Sequence, residues 1–484
     1  MDIATASPPR PSSAAVEFAL LQSWLSASTT LQLPLHAIES QQSDKGREVQ
    51  RLLLQAHLQQ RGDGDVGSAL LVQSGDRQLL YAHRRLGTRS LTTVFGSVEV
   101  ARLGYSRPGT SSIFPLDQAL CLPRRSFSYE LQRRLIKAAV QNPFLASVET
   151  IAELTGVSVS KRSLEQILPD VAQDFDAFYR QRPPDAASGS LLVAAVDCKG
   201  IPVVKPVSPQ PAFRLTKGQK ANKKRMATVA AVFTRAPWVR APPQVLECLF
   251  PTERRTRADR AAAPRPENKR VWASLVKSKS AVIEEVAAEV DRRDPAGLLT
   301  RIALTDGERA LQIRVKSKLR VTLILDLMHV LEKLWKAAYV FHAEGSLEAD
   351  LWVLERTLRI LDGGVSQVMK GLRQSITKRR LLGTHQETLQ AVAGYFSKNR
   401  SYMHYDEYLS KGWLIASGPV EGACKNLIKD RMERSGMRWT EAMAEALVKL
   451  RAIFLSGDFD RYWDFHIQQD QQRLYPARWT VVPK

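Results

Sequence analysis

The stretch "RIALTDGERALQIRVKSKLRVTLILD", residues 301–326, contains two short apolar runs that each end in an aspartate. The first run ends at Asp306 and the second at Asp326, and a helix-length segment lies between them. Short apolar runs of this kind are typical of buried strands in a parallel sheet. Open α/β sheets build their sites where the carboxyl ends of the strands meet. The stretch therefore predicts that Asp306 and Asp326 lie together at that edge.

The segment from residue 190 to residue 326 has the element order of an α/β RNase H-like catalytic domain. A buried-type strand, "LLVAAVD", ends at Asp197, and the strands that end at Asp306 and Asp326 come later, each before a helix. The expected second and third strands are 226–235 and 244–250. In an RNase H-like domain, strands one, four and five are parallel neighbours. We therefore expect Asp197, Asp306 and Asp326 to emerge at one edge of the sheet.

The rest of the chain divides by composition and periodicity. A mainly helical N-terminal DNA-binding region is expected, with a β-hairpin that turns at Gly96-Ser97. An all-helical insertion interrupts the RNase H-like domain. The expected ranges are a disordered tail at 1–15, the N-terminal region at 16–185, the first part of the RNase H-like domain at 190–342, the insertion at 343–405, the completion of that domain with C-terminal helices at 406–465, and a tail at 466–484.

The charge balance indicates a polyanionic partner. The chain has 484 residues, with 70 Lys and Arg against 49 Asp and Glu, for a net charge of +21. Nucleic acid is the first candidate and an anionic membrane is the second. Two basic segments, 214–225 and 253–270, are expected to be loops that are either solvated or clamp phosphates. No apolar run approaches the roughly 20 residues of a membrane helix, and no signal peptide is seen. A cytoplasmic protein without a membrane partner is expected.

Residues 147–168 resemble a helix-turn-helix. A short amphipathic helix at 147–154 precedes Gly156, and a second helix is expected to begin near Ser158. Ser160, Lys161 and Arg162 would stand near the start of that helix, where recognition helices touch DNA. The alternative is a pair of antiparallel helices with no nucleic-acid role.

The carboxylates suit two-metal phosphoryl transfer. Carboxylates gathered at one edge can hold two divalent cations, and Mg²⁺ needs few of them because it keeps several waters. Each acid also has a structural alternative. Asp306-Gly307 is a common turn, Asp326 can cap the following helix, and Glu421 can pair with Lys425 four residues later. The four cysteines form no CxxC pair, so neither a zinc site nor a disulfide framework is expected.

The sequence resembles the DDE transposases of bacterial insertion sequences, close to the ISKra type and distantly similar to Mutator-like transposases. The resemblance spans roughly residues 85–465, and some relatives carry an N-terminal cysteine-rich zinc segment that this chain lacks. "DLMH" matches a Mutator-like signature of Cys or Asp, two residues, then His. The block around Glu421 is the most specific. The segments that carry the resemblance are "LTTVFGSVEVARLGY", "PLDQALCLP", "VDCKG" with Asp197, "TDGERAL" with Asp306, "DLMH" with Asp326 and His329, and "GPVEGACKNLIKDRMERSGMRW" with Glu421.

The resemblance implies a transposase that binds the terminal inverted repeats of its element, nicks DNA and transfers the freed strand to target DNA. Asp197, Asp306 and Glu421 would be catalytic and would hold two Mg²⁺ or Mn²⁺ ions. Spacing alone leaves open whether Asp326 replaces Asp306 as the second ligand.

Further roles follow from the same reading. Asp326 and His329 would support the site, although His329 could instead line the core. Lys425 and Lys429 would face DNA phosphates or form a solvated helix face. A bacterial transposase would be associated with the nucleoid. Bringing two element ends together implies a homodimer or larger assembly. The alternatives are a metal-dependent nuclease that joins no strands, and a non-catalytic helix-turn-helix regulator.

Overall fold

A computed structural model describes residues 14–186, 188–204, 224–250, 263–416 and 418–483, except for the side chains of 419–421 and 435. The chain divides into two compact units. Unit 1 contains the residues up to Phe178 and those from Asp460 onward, and unit 2 is Tyr179–Phe459. Of the expected tail at 1–15, residues 1–13 lie outside the described residues, and the first helix begins at Ala14.

Unit 1 begins with helices and continues as two antiparallel hairpins. These elements are α1 (Ala14–Ser26), α2 (Ser28–Leu31), α3 (Leu35–Gln60), β1 (Ala69–Ser74), β2 (Arg77–Tyr81), β3 (His83–Thr93) and β4 (Gly96–Ser106). In the second hairpin Thr93 pairs with Gly96, so the turn is Val94-Phe95. The prediction of a turn at Gly96-Ser97 is wrong by two residues. Gly96, at φ 126°, is already in the strand, where its carbonyl accepts a 2.9 Å hydrogen bond from Thr93 Oγ1.

A helical cluster follows the hairpins in unit 1. Its helices are α4 (Pro115–Ala119), α5 (Tyr129–Ala139), α6 (Phe144–Thr155), α7 (Lys161–Ala172) and α8 (Phe175–Gln181). Helix α6 ends at Gly156, whose φ of 69° is the left-handed conformation that glycine takes without steric cost. Helix α7 begins at Lys161, later than the expected Ser158, because Ser160 is its N-cap: Ser160 Oγ accepts from the Ser163 amide at 3.0 Å. Helix α5 packs against both α6 and α7.

A five-stranded mixed sheet is the centre of unit 2. Its strands are β5 (Leu191–Ile201), β6 (Arg225–Arg235), β7 (Glu267–Ser274), β8 (Thr300–Thr305) and β9 (Thr322–Leu325). The spatial order is β7-β6-β5-β8-β9. Strands β5, β8 and β9 are parallel neighbours, and β6 and β7 are antiparallel additions on the other side of β5. Nearly continuous burial of β5, β6 and β8 explains their unbroken apolar runs.

The third strand is not where the sequence predicted it. Residues 244–250 lie mainly in a helix, α9 (Pro242–Leu249), because two prolines at its start fix the φ of the first helical turn. The third strand is β7 instead, which overlaps the end of the expected basic loop at 253–270. Its basic Arg270 is buried, and its charge is compensated by Glu289, whose Oε2 lies 2.6 Å from Nη1. Because the composition of this segment is charged, the sequence indicated a solvated loop and not a core strand.

Helices fill the rest of unit 2. They are α10 (Lys279–Arg293), α11 (Arg309–Lys318), α12 (Leu327–Ala338), α13 (Leu347–Leu361), α14 (Val365–Lys378), α15 (Gly383–Asn399), α16 (Tyr405–Ser410), α17 (Gly418–Ala423), α18 (Asp430–Met432) and α19 (Glu441–Ser456). A π-helix, Cys424–Lys429, joins α17 to α18. Residues 343–405 contain only helices and turns, all of them described, as expected for the insertion.

The end of the chain belongs to unit 1. Helix α20 (Phe459–Leu474) and strand β10 (Trp479–Val482) occupy it, and β10 pairs antiparallel with β1. The predicted tail at 466–484 is therefore wrong, and residues 460–465, expected with the completion of the RNase H-like domain, belong to unit 1. The polar composition of α20 concealed an anchored helix: buried His466 Nδ1 lies 2.7 Å from Asp174 Oδ2, and Arg473 also pairs with Asp174.

Candidate active site

Three aspartates lie side by side at one edge of the unit 2 sheet. Ala195 of β5 pairs with Leu304 of β8, so the same register brings Asp197 alongside Asp306 two residues later. Thr305 of β8 pairs with Leu325 of β9, which brings Asp306 alongside Asp326. The amide of Asp326 donates to the carbonyl of Thr305 at 3.0 Å. Strand β5 continues to Ile201, so the expected end of that strand at Asp197 is wrong, but its parallel pairing with β8 stops at Ala195. The three aspartates therefore lie where the parallel pairing ends, on the side of the sheet at which open α/β sheets bind ligands.

Burial separates Asp326 from Asp306. Asp326 is 1% exposed, and its Oδ1 accepts from the Met328 amide at 2.8 Å, which caps α12. Asp306 is half-buried, and its Oδ1 accepts from the Glu308 amide at 2.9 Å. Asp326 therefore has the helix-capping role weighed for it, whereas Asp306 is more accessible to a ligand.

The carboxylate of Asp197 is held by two donors. Its Oδ1 accepts from the Cys198 amide at 2.6 Å, and its Oδ2 lies 3.1 Å from Sγ of Cys424. Burial, reinforced by the negative charge of Asp197, raises the pKa of the Cys424 thiol far above its usual value. The thiol therefore stays protonated and donates to the carboxylate.

The segment around Glu421 wraps the end of β5. Helix α17 packs against β5 and β6, and the π-helix that follows it packs against β5. The amide of Trp439 donates to the carbonyl of Pro202 at 3.1 Å, and the amide of Val204 donates back to the carbonyl of Trp439 at 2.8 Å. Glu421 lies in α17, one turn before Cys424, and its side chain is outside the description. π-Helical segments inside α-helices occur often at functional sites.

The donors at this edge suit a hard divalent cation. Asp197 and Asp306 offer carboxylate oxygens, the ligands that Mg²⁺ prefers, and Mg²⁺ needs few of them because it keeps its waters. Among the described residues, no group of three or more His, Cys, Asp or Glu side chains could hold a metal ion. A third protein ligand would have to come from a side chain outside that set, such as Glu421.

Two side chains that the sequence did not single out contact the Asp306 turn. Tyr395, from α15 of the expected insertion, donates its hydroxyl to the carbonyl of Asp306 at 2.7 Å. Lys279, at the start of α10, places Nζ 2.8 Å from both carboxylate oxygens of Glu308, and this pairing raises the pKa of Lys279. Glu308 could have been suspected from its place in "TDGE", but nothing local marks Tyr395, 89 positions away.

The residues predicted to support the site or to bind DNA lie on helices of both units, and most of them are exposed. His329, on α12, lies with Nδ1 3.3 Å from Oε2 of Glu332. Lys425 and Lys429 are exposed on the π-helix. In unit 1, Lys161 lies 3.4 Å from Glu165, and Arg162 is exposed.

The hydroxyl of Ser160 caps α7, which is a structural role. Residues 205–223 and 251–262, which include most of the two basic segments, lie outside the described residues.

No protein-family model and no curated protein matches this chain. Among solved structures, the chain is similar to one described as the Drosophila P element transposase strand transfer complex. The two share 11% sequence identity and a TM-score of 0.25, over 72% of this chain and 82% of that chain. Such a score does not establish a common fold. Within the described part of the chain, no helix is long and apolar enough to cross a membrane.

Proposed function

We propose that this chain is a DNA transposase of the DDE type and that Asp197, Asp306 and Glu421 are its catalytic residues. The observation that carries the proposal is the register of the sheet, which brings Asp197 of β5 alongside Asp306, the residue that follows the neighbouring parallel strand β8. Glu421 lies one turn before Cys424, whose thiol contacts Asp197. This position along the helical segment supports Glu421 as the third ligand.

The sheet also supports assigning unit 2 to the RNase H-like class. Strands one, four and five of that class are parallel neighbours, and β5, β8 and β9 have this relationship here. The helices at 343–405 fit the insertion expected between the second aspartate and the glutamate.

The proposed chemistry is two successive in-line phosphoryl transfers. Asp197, Asp306 and Glu421 would hold two Mg²⁺ or Mn²⁺ ions, which supply activation of the attacking oxygen and stabilisation of the leaving oxygen. Cys424 orients the carboxylate of Asp197, and Tyr395 fixes the backbone of Asp306. In the first transfer, water attacks the scissile phosphorus and the bond to O3′ breaks, leaving a 3′-hydroxyl and a 5′-phosphate. In the second, that hydroxyl attacks a target phosphodiester and displaces its 3′-oxygen.

Double-stranded DNA is the proposed substrate, both as element ends and as target. The net charge of +21 favours a polyanion. We assign Lys161 and Arg162, on the exposed start of α7, to recognition of the element ends, and Lys425 and Lys429 to phosphates near the cut. Strand transfer would require two ends held together by at least a dimer.

A cleavage and joining assay tests this function. Purified protein is incubated with Mn²⁺, a labelled duplex carrying the element's terminal repeat, and a target plasmid. Nicked ends joined to the plasmid are expected, and Asp306→Asn should abolish both products. Asp362→Asn, a matched change at an exposed site after α13, should abolish neither.

Other outcomes of this assay would replace the proposal. Hydrolysed ends without joining would indicate a nuclease. Repeat binding without any metal-dependent cleavage would indicate a non-catalytic regulator.

A further inference from the structure

A deep basic groove opens next to Asp306 in unit 2. Its volume is about 1000 Å³, and it lies between α11, α12 and α15. Gly307, the residue after Asp306, forms part of its wall. The groove and the candidate active site are therefore contiguous, and α15 contributes to both through Tyr395.

Four cations line the groove. They are Arg309, Lys333, Lys336 and Lys398. Within the described part of the chain, none of the four forms a salt bridge. Lys333 instead lies 4.9 Å from the centre of the Tyr395 ring. Clustered cations that lack internal partners favour an anionic ligand.

The groove also contains a hydrogen-bond acceptor that lacks a donor. Gln312, which lines it, is 1% exposed, and among the described residues its Oε1 has no hydrogen-bond partner. The orientation of the amide is fixed by its neighbour. Asn399 donates from Nδ2 to the carbonyl of Tyr395 at 2.9 Å, so its Oδ1 must accept the 2.7 Å hydrogen bond from Gln312 Nε2. An unsatisfied buried acceptor costs free energy unless a ligand supplies a donor.

We propose that this groove binds unpaired nucleotides of a DNA strand beside the scissile phosphate, an inference that rests on the proposed function. Phosphates satisfy the four cations but carry no donor for Gln312. A nucleobase supplies that donor through an exocyclic amine or a ring N–H. Paired bases still present an amine hydrogen in the grooves of a duplex, but a base stacked in a duplex cannot reach an acceptor on a side chain that is only 1% exposed. The groove therefore suits a single strand and not a closed duplex, and the Tyr395 ring offers a surface for base contact.

The backbone of the site adds a physical link between groove and cleavage. Gly307 has a φ of 88°, and a Cβ there would approach the Tyr395 hydroxyl to 2.5 Å. The Asp306 turn and the groove wall are thus packed directly against each other. Nucleotides seated in the groove would position the adjoining phosphate at Asp306.

Binding of a fluorescent single-stranded oligonucleotide, measured by anisotropy in EDTA over a range of salt concentrations, tests the cations. The double variant Lys336→Ala/Lys398→Ala should reduce the slope of log K against log salt by about 1.4, because each phosphate contact on a single strand contributes about 0.7. The control is Lys370→Ala/Lys378→Ala, which removes two exposed lysines of α14 outside the groove and should leave the slope unchanged. Equal effects of the two double variants would overturn the proposal.

A second measurement tests the acceptor. Wild-type protein should bind a base-bearing strand more tightly than the same strand made abasic. Gln312→Leu should reduce the ratio of these two affinities roughly fivefold, because one neutral hydrogen bond to the base is lost. Gln312→Glu, which keeps an oxygen at the position, should retain the preference if Gln312→Leu fails to fold. An unchanged preference in a folded Gln312→Leu variant would contradict the proposal.

Two further experiments distinguish a DNA strand from a free nucleotide as the ligand, and failure of the groove proposal from failure of the proposed function. A mononucleotide that binds as tightly as the oligonucleotide would assign the groove to a free nucleotide and overturn the proposal. Asp306→Asn should bind the single strand like wild type while losing cleavage. If that variant still cleaves DNA but the groove results hold, the proposed function fails and the nucleotide groove stands.

Discussion

Sγ of Cys424 lies 3.1 Å from Oδ2 of Asp197, although 227 positions separate the two residues. This contact connects the helical segment that contains Glu421 to β5. Because burial keeps the thiol protonated, it acts as a donor that fixes the direction of the carboxylate. The second oxygen of Asp197 is held by a backbone amide, so the side chain is oriented at both oxygens.

Cys424→Ala should weaken Mn²⁺ binding and metal-dependent nicking by about 10- to 100-fold, the usual cost of removing a partner that orients a ligand. Cys424→Ser keeps a donor and should lose less. Calorimetric Mn²⁺ titration and the nicking rate check this expectation. Cys248→Ala, at an exposed free cysteine of α9, is the control. Equal Mn²⁺ affinity in Cys424→Ala and wild type would show that the contact does not position Asp197.

Asp326 should behave as a structural residue. Asn caps helices about as well as Asp does, so Asp326→Asn should retain most of the nicking activity, whereas Asp326→Ala should lower the free energy of unfolding by about 1 kcal/mol. Urea denaturation and the nicking assay give the two readouts. Complete loss of nicking in a folded Asp326→Asn variant would instead make Asp326 the second metal ligand.

Gly307→Ala should destabilise unit 2 by about 1–3 kcal/mol, because its φ of 88° is strained for alanine and the added methyl group meets the Tyr395 hydroxyl. Nicking should fall with it, since the Asp306 turn must shift. Gly371→Ala, within α14 and with open space around it, should stabilise by about 0.5–1 kcal/mol. Denaturation midpoints compare the two. Equal midpoints would refute the role of the Gly307 turn.

The buried ion cluster around Glu289 predicts a loss of stability in acid. Burial alone would raise the pKa of Glu289, but the charges of Arg270, Arg293 and Arg292 outweigh it and lower the pKa from 4.5 to about 2. A carboxylate with a lowered pKa stabilises the fold by about 3 kcal/mol above pH 4.5, and this contribution disappears as the pH falls toward 2.

Glu289→Gln tests that expectation. The variant should be less stable than wild type by about 3 kcal/mol or more at neutral pH, because it leaves buried arginines without their partner. The difference should shrink below pH 4.5 in denaturation curves measured as a function of pH. A difference independent of pH would contradict the lowered pKa.

The sequence predicted best where local pattern and burial agree. The strands that carry Asp197 or precede Asp306 and Asp326 contain apolar runs that are buried in the sheet, and this burial leaves little ambiguity in the pattern. Strand β7 was not predicted because it begins with polar and charged residues. Its Arg270 can be buried only because Glu289, on another element, neutralises the charge. Strand β10 and helix α20 were missed because their partners, β1 and Asp174, lie more than 290 positions earlier in the chain.

In the candidate site, too, the sequence did not predict contacts between residues that are distant along the chain. Asp306 and Asp326 have similar sequence contexts, and only burial and the hydrogen bond to Met328 distinguish them. The contacts of Cys424 with Asp197 and of Tyr395 with Asp306 depend on tertiary packing, which local periodicity does not encode.

The central claim is that Asp197, Asp306 and Glu421 share divalent ions. A crystal structure of the protein soaked in Mn²⁺, with anomalous difference maps collected near the manganese edge, tests it most directly. Anomalous peaks bound by the carboxylates of Asp197, Asp306 and Glu421 are expected, and they should be lost in Asp306→Asn. Well-ordered carboxylates with no peak between them at saturating Mn²⁺, or peaks only at other residues, would contradict the claim.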